Sequence, residues 1–295
     1  MEFDVVVGNP PFQDRTARKR TPHKLWIDFT EHALTRLLKP KGLLLQISPS
    51  SFQSPSSKVL GLMRTLKTGL LNFDVAHHFP GVGSSFAYYA VRNQPRSAKT
   101  KVTHSGKVFQ LDLDESVAWL PNDFCSESMS IHRKVMWEPD VKLKVEFDYV
   151  TCHNLRLADT LSKTKTATHK HAVFHTNSQT WYSAVTKPWF AKNKVMWTRS
   201  GYTKPFADHG KHGGTDMVYY IVTNTAAETD VLAHNLKLRL FQYIFRSAKW
   251  SGFGNEIVFQ SLPDLPLDKR LTDDELYAMF GLTPKEIAYV EQQLG

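Results

Sequence analysis

The sequence predicts an α/β protein over roughly its first third, followed by a region with the short strands and helices of an α+β domain. Two observations lead to this expectation. Apolar strand-like runs alternate with helical stretches from residue 3 to residue 93. After the polar segment 95–99, that rhythm gives way to short strand-like pieces with scattered aromatic residues. With 41% hydrophobic residues in 295, the chain is too apolar to be disordered and long enough to bury a large core.

The overall charge favours a polyanionic partner. The chain has 37 basic and 28 acidic residues, a formal net charge of +9. No apolar run approaches the ~20 residues that a membrane span needs, and no basic-then-apolar leader is apparent. Two cysteines, Cys125 and Cys152, are too few for a disulfide framework or a cysteine-rich zinc site. We therefore expect a cytoplasmic protein with no membrane association.

The first element is an apolar strand that ends in a stiff loop. Phe3–Gly8 reads as a buried strand, and Asn9-Pro10-Pro11-Phe12 follows at once. The prolines restrict the backbone to extended conformations, so the loop presents an amide beside an aromatic ring. The side-chain oxygen of Asn9 and the carbonyl of Pro10 could accept hydrogen bonds from an amino group on a planar ring, and Phe12 could stack on that ring. The alternative is a purely structural strand exit.

The next elements follow from helical spacing and stop signals. A helix is expected from Leu25 to Leu38, ending at the Lys39–Gly42 turn, with Trp26 and Phe29 in the core. Further expected elements, in order, are a strand at 43–47, a serine-proline loop whose Ser48, Ser50 and Ser51 cap the next helix, a helix at 59–68, and strands at 71–76 and 86–91.

At Asn9–Phe12 the chain resembles the adenine-N6 DNA methyltransferases, whose catalytic motif is (D/N/S)PP(Y/F/W) at the end of a sheet strand. Glutamine-N5 protein methyltransferases share an NPPY version. The order of elements after the motif is similar to that of the gamma-class enzymes, including fused type IIG restriction–modification proteins. The similarity is strongest over residues 3–52 and 255–290 and looser between them.

The resemblance implies a Rossmann-like methyltransferase sheet, S-adenosylmethionine as the methyl donor, and a flipped adenine as the acceptor. The implied catalytic residues are Asn9, Pro10, Pro11 and Phe12, with Phe12 and Phe79 stacking on the base. For Phe79, a ring packed at a hairpin mouth is the alternative. The implied domains are a catalytic-loop half of the methyltransferase domain (1–95), a target-recognition domain (96–262) and a C-terminal helical tail (263–295).

One part of that resemblance is missing. In the gamma order, the glycine-rich cofactor-binding half precedes the NPPF motif, which here begins at residue 9. We expect either that a second polypeptide supplies this half or that the chain is truncated or decayed. Without it, the edge of the first strand would expose apolar surface and unpaired backbone groups.

Three basic groups are candidate contacts to double-stranded DNA, because cations there would bind phosphates. They are Arg15, Arg18, Lys19 and Arg20 after the NPPF motif, Lys163, Lys165 and Lys170 in the segment 162–171, and Arg199 and Lys204 in an aromatic-rich stretch. For the first group the alternative is a solvated charged face. The segment 162–171 is interpreted as a flexible basic loop, and for the stretch with Arg199 and Lys204 the alternative is aromatic-rich turns of an ordinary α+β domain.

The histidine pairs 77/78, 169/171 and 209/212 lack the cysteines or HExxH spacing of zinc sites, so no metal is expected. The acidic run Asp112–Glu115 reads as a turn rather than a magnesium site. Two capping boxes predict short helices at 273–280 and 284–293. The rivals to a DNA methyltransferase are a non-catalytic DNA-binding specificity module, a decayed restriction–modification fragment and a protein glutamine methyltransferase.

Overall fold

A computed structural model describes residues 2–13, 24–81, 85–147, 160–176, 179–186, 189–200, 204–250 and 255–295. The chain forms two compact units, Met1–Met129 and Ser130–Gly295, and its mixed helices and sheets confirm the α/β class. The first unit continues past residue 95, because two strands beyond that point join its sheet. The three functional domains and the Rossmann-like half remain predictions.

The first unit is built on one mixed sheet. Its described strands are β1 (Phe3–Gly8), β2 (Leu38–Pro49), β3 (Leu66–Asn72), β4 (Phe86–Pro95), β5 (Thr100–His104) and β6 (Lys107–Leu111), in the spatial order β1-β2-β4-β3-β5-β6. β1 runs parallel to β2, and β3 runs parallel to β5. β4 is antiparallel to both β2 and β3, so it brings its start to the carboxyl ends of β1, β2 and β3.

One face of this sheet is buried by helices. The helices of the unit are α1 (Leu25–His32), which continues as a π-helical turn over Ala33–Leu37, and α2 (Lys58–Thr65); α3 (Ser126–His132) crosses into the second unit. Along β2, Leu44, Gln46 and Ser48 are buried, and the residues between them are half-buried. Gln46 on this face bonds to Thr30 of α1, and Trp26 of α1 and Leu60 of α2 are both buried. Trp26 therefore packs as predicted.

The opposite face and the β1 edge are open within the described residues. β1 pairs only with β2 there, and Val5 and Val7 are 51% and 74% exposed. Their neighbours Leu43 and Leu45 on β2 are only half-buried. An edge strand with unpaired backbone groups and exposed valines is the feature expected if further strands pair there.

Several local predictions for this unit were wrong. The predicted Lys39–Gly42 turn lies inside β2, where Lys41 has a φ of +67° and the β1–β2 register shifts between Phe3 and Val5. A side chain at Gly42 would lie 2.9 Å from the Lys39 carbonyl oxygen, so glycine serves a strand irregularity there.

Three further predictions need correction. The second helix ends at Thr65, because Leu66 already pairs in β3. Phe29 is 50% exposed rather than in the core. The cap of α2 is Ser57, whose side chain accepts from the Leu60 N–H, and not one of the three serines nearer β2. Ser50 and Ser51 lie instead in a short 3-10 turn, Ser50–Gln53.

The second unit contains two small four-stranded sheets among its described residues. Their strands are β7 (Glu146–Phe147), β8 (Leu161–Ser162), β9 (His171–Phe174), β10 (Thr180–Ser183), β11 (Asn193–Thr198), β12 (Phe206–His209), β13 (Gly213–Gly214) and β14 (Val218–Val222). The spatial orders are β13-β9-β10-β8 and β12-β11-β14-β7.

The helices of the second unit follow the sheets in sequence. They are α4 (Ala226–Asn235), α5 (Arg239–Ser247), α6 (Glu256–Gln260), α7 (Asp273–Met279) and α8 (Pro284–Leu294). Both predicted capping boxes are present, because Thr272 and Thr283 each exchange hydrogen bonds with the glutamate three residues later. No described helix is both long and apolar enough to cross a membrane.

Candidate catalytic loop and basic surface

The Asn9–Phe12 loop leaves β1 directly beyond Gly8, which pairs with Gln46 of β2. Pro10 is buried, whereas Asn9 and Pro11 are exposed. The buried proline anchors the loop, and the amide before it faces solvent on a backbone with little conformational freedom. The start of β4 lies at the same end of the sheet, since Phe86 pairs with Pro49 at the end of β2.

Two candidate stacking residues meet one buried ring. The ring centroids of Phe12 and Phe86 are 5.3 Å apart, and those of Phe79 and Phe86 are 4.5 Å apart. Phe86 is buried, while Phe12 and Phe79 are half-buried. The structure thus brings Phe12 and Phe79 into one aromatic cluster with Phe86.

Phe86 was predicted only as the first residue of a strand and not as part of the site. Its only signal was its position, since it opens the strand that follows the Phe79 segment. Ser50 and Ser85 hold this corner together: their hydroxyl oxygens are 2.5 Å apart, and the Ser50 N–H donates to the Ser85 carbonyl over 3.0 Å.

A buried polar cluster supports the sheet beside the loop. The Gln46 side-chain amide donates to Thr30 Oγ1 over 2.6 Å and to Tyr89 Oη over 3.0 Å, and Thr30 donates to the Trp26 carbonyl. Burial raises the pKa of the Tyr89 hydroxyl, which therefore stays protonated. These bonds tie α1, β2 and β4 together next to Gly8, and so fix the strand end from which Asn9 projects.

The described residues do not by themselves fit S-adenosylmethionine. No strand in the described part of the first unit is followed by a glycine-rich turn leading into a helix, the arrangement whose N–H groups bind such ligands. What this end of the sheet offers instead is the unpaired edge of β1 beside Asn9.

The basic candidates do not all lie among the described residues. Arg15, Arg18, Lys19 and Arg20 lie outside the described residues. Lys163, Lys165 and Lys170 are exposed on the segment between β8 and β9, where the Lys163 ammonium is 5.9 Å from the centre of the Trp181 ring.

Arg199 and Lys204 belong to a different part of the second unit, where both line one cavity. Sequence reasoning missed three other cations of the same cavity, Lys237, Arg246 and Lys249. They lie just before α5, near its end and just after it, so no short motif joins them to Arg199.

The histidine pair 209/212 has acidic partners. His209 Nε2 is 3.1 Å from Asp230, and His212 Nδ1 is 2.7 Å from Asp208, which also binds the buried Lys194 at 2.6 Å. Burial opposes ionisation of Asp208, but the hydrogen bonds from His212 and Lys194 outweigh it and lower its pKa. Among the residues that the structure describes, no group of three histidine, cysteine or acidic side chains could hold a metal.

The acidic run Asp112–Glu115 leads from the end of β6 into a turn at Glu115 and Ser116. Asp112 pairs with Arg96 at 2.5 Å, and Asp114 accepts from the Ser116 N–H at 2.9 Å.

A comparison with protein families matches residues 1–72 to the Eco57I restriction-modification methylase family. This segment contains β1, the NPPF loop, α1, β2, α2 and β3. The expected resemblance to restriction–modification methylases is therefore confirmed for this part of the chain. The expected similarity of residues 255–290 lies outside the match and remains a prediction.

Solved structures of restriction–modification proteins are weakly similar to the chain. The Type IIL enzyme MmeI, solved in complex with DNA, aligns with 88% of this chain and 45% of its own, at 9% identity and a TM-score of 0.42. The type IIG restriction endonuclease BpuSI aligns over 83% and 42%, at 9% identity and 0.32, and the EcoKI M protein over 34% and 25%, at 17% and 0.29. The chain thus spans less than half of each, and scores this low do not bear on its function. No curated protein matches the chain.

Proposed function

We propose, from the match of residues 1–72 to the restriction–modification methylase family, that this chain is the catalytic-loop and target-recognition part of a DNA methyltransferase. The proposed reaction transfers a methyl group from S-adenosylmethionine to the exocyclic N6 of an adenine flipped out of duplex DNA. That nitrogen cannot be reached inside a stacked duplex, so base extrusion is part of the proposal.

The observation that carries the proposal is the geometry of the loop. Asn9 is exposed at the carboxyl end of β1, and Phe12 packs on Phe86 close behind it. Two acceptors, the Asn9 side-chain oxygen and the Pro10 carbonyl, would bind and orient the adenine amino group. Phe12 and Phe79 would stack on the base, since both rings are half-buried and keep a free surface.

S-adenosylmethionine would supply the electrophilic methyl group when bound, and the chain's own residues would position the acceptor. Because no described strand of the first unit leads through a glycine-rich turn into a helix, we propose that additional strands, which would carry the cofactor site, pair at the β1 edge. Val5 and Val7 would then be covered, and Asn9 would lie inside the sheet rather than at its border.

DNA binding would rest on the basic residues of both units, which contribute to the net charge of +9. Phosphate contacts by lysine and arginine give affinity without sequence readout, so they would hold the duplex while a base is extruded. The residues proposed for this are Arg15, Arg18, Lys19, Arg20, Lys163, Lys165, Lys170, Arg199 and Lys204.

The test compares the chain alone with the chain plus the product of the reading frame immediately upstream. We expect the chain alone neither to bind S-adenosylmethionine in calorimetry nor to methylate DNA. Together, the two polypeptides should produce N6-methyladenine, identified by mass spectrometry of digested DNA. Robust turnover by the chain alone would show a cofactor site in it, and DNA binding without methylation in every combination would favour a specificity module.

A further inference from the structure

The second unit contains a cavity that the catalytic loop does not use. Its volume is about 380 Å³, within the range of about 300–1,000 Å³ that is common for small-molecule sites. Its apolar lining includes Trp197, Leu236 and Phe259, which are all buried. The ring centroids of Trp197 and Phe259 are 5.5 Å apart, and those of Phe245 and Phe259 are 5.4 Å apart. The cavity thus has an aromatic wall, in which Phe245 is the half-buried residue.

The rest of the lining is cationic. Five basic residues and no acidic residue line the described cavity: Arg199, Lys204, Lys237, Arg246 and Lys249. Four of them donate to neutral oxygens: Lys204 to the Gln242 side chain over 2.9 Å, and Arg246, Arg199 and Lys249 to the carbonyls of Gln293, Asp216 and Ser200 over 2.6, 3.1 and 2.5 Å. Their charges are therefore not neutralised by these contacts. Such a site attracts an anion.

A buried donor also lacks a partner. The indole N–H of Trp197 is buried and makes no hydrogen bond to any described residue, although the side chain is only 2% exposed. The Nε–H of Arg199, also on the lining, is in the same situation. Buried donors are nearly always satisfied, so an acceptor atom of a ligand is the group that would complete them.

We infer that this cavity binds a nucleoside phosphate, with the base against the Phe245 and Phe259 rings, an acceptor atom of the base on the Trp197 N–H, and the phosphate on Lys204, Lys237 and Arg246. The aromatic wall would bind a planar ring, the unpartnered N–H groups would donate to acceptor atoms on that ring, and the cations would bind a phosphate. This chemistry has two sources, a free nucleotide or one nucleotide of a DNA strand. The site lies in the second unit and is independent of methyl transfer at Asn9.

Calorimetry on the full chain tests the inference, with deoxyadenosine 5′-monophosphate as the probe and inorganic phosphate and deoxyadenosine as part ligands. The nucleotide should bind more tightly than either part. The Lys237→Gln/Arg246→Gln variant should weaken binding about tenfold or more, because charged hydrogen bonds are lost. Trp197→Phe, which keeps a ring and removes the N–H, should weaken it about two- to tenfold. Lys192→Gln, an exposed lysine next to the other end of β11, should bind like the parent.

Competition with a duplex oligonucleotide separates the two sources. Displacement of the nucleotide by DNA assigns the cavity to a nucleotide of DNA, whereas simultaneous binding assigns it to a free nucleotide. The inference would be overturned if no nucleotide binding were detected, or if the parent and the cavity variants bound the nucleotide equally. It would also be overturned if inorganic phosphate or polyglutamate competed as well as the nucleotide. Thermal unfolding of each variant shows whether it is folded, and a methylation assay run in parallel shows that failure here is separate from failure of the methyltransferase proposal.

Discussion

The ring of Phe12 packs against the ring of Phe86, with centroids 5.3 Å apart and planes inclined by 34°. Phe12 ends the loop after β1, whereas Phe86 begins β4, which is two strands away in the sheet. The contact therefore ties the candidate catalytic loop to the sheet at a point distant in sequence. Since Phe79 packs on the same ring, Phe86 fixes both candidate base-stacking residues.

The first prediction concerns stacking by Phe12. Phe12→Ala should lose about 1–3 kcal/mol of affinity for an extruded base, and Phe12→Tyr should keep most of it, because stacking needs an aromatic face. Fluorescence of 2-aminopurine, placed in the sequence that the completed enzyme methylates, measures the interaction. Phe29→Ala is the matched control, since Phe29 is an exposed phenylalanine on α1. An unchanged response in Phe12→Ala would remove Phe12 from the base site.

The second prediction concerns the open edge of β1. Val7→Lys should abolish association with a completing polypeptide, because a lysine on an edge strand opposes strand addition. The thermal unfolding midpoint should stay the same, since Val7 is 74% exposed. Val108→Lys is the control, because Val108 is 60% exposed on β6 at the opposite edge of the sheet. Sedimentation velocity measures association, and equal loss in both variants would contradict pairing at β1.

The third prediction concerns the basic stretch after the loop. Affinity for duplex DNA should fall steeply as salt rises, because each phosphate contact releases counterions. Changing Arg15, Arg18, Lys19 and Arg20 to glutamine should reduce the log–log slope by up to about 0.9 per lost contact. The control changes four exposed lysines of the same unit, Lys58, Lys99, Lys101 and Lys107. If both sets flatten the slope equally, the stretch has no special role.

The predictions that were correct concern features that residues close in sequence determine. The Thr272–Glu275 and Thr283–Glu286 capping boxes could be predicted because each places its partners three residues apart, whatever the rest of the fold does. The position of the strand before Asn9 and the core position of Trp26 followed in the same way from apolar spacing, but that strand was expected to be buried and is largely exposed among the described residues.

The predictions that were wrong depended on distant partners. Lys39–Gly42 has the residues of a turn, and Lys41 has a positive φ. Because the residues around it pair with β1 and β4, however, this stretch forms an irregular part of β2. The helix expected over 59–68 ends at Thr65, because the residues after it pair with β4 as part of β3, with a register shift between Thr68 and Leu70. The Phe86 cluster and the cavity cations could not be predicted either, because separate strands and helices bring those residues together.

The fourth prediction is a pH dependence of stability. His132 is buried with its Nε2 2.8 Å from Ser247 Oγ, and burial lowers its pKa from the usual 6.5 to about 3. In the unfolded chain, His132 therefore becomes protonated below pH 6.5, whereas in the folded chain it stays neutral down to about pH 3. Protonation of His132 therefore does not change the free energy of unfolding above pH 6.5. Between pH 6.5 and about pH 3 it lowers this free energy by about 1.4 kcal/mol per pH unit.

Denaturant unfolding between pH 7 and pH 4 checks this dependence. His132→Gln should be less stable than the parent at pH 7 and should lose less stability on acidification. His78→Gln, at an exposed position, is the control and should follow the parent. Parallel pH profiles for the parent and His132→Gln would contradict the assignment.

The measurement that tests the account most directly is methyl transfer to duplex DNA by the assembled enzyme carrying Asn9→Ala. The Asn9 amide is proposed to orient the acceptor nitrogen, so its removal should lower turnover about a hundredfold or more while assembly and DNA affinity stay unchanged. Gln13→Ala, which removes another exposed amide four residues along the chain, should retain the parent rate. Equal turnover by Asn9→Ala and the parent would show that the loop after β1 is not the catalytic loop.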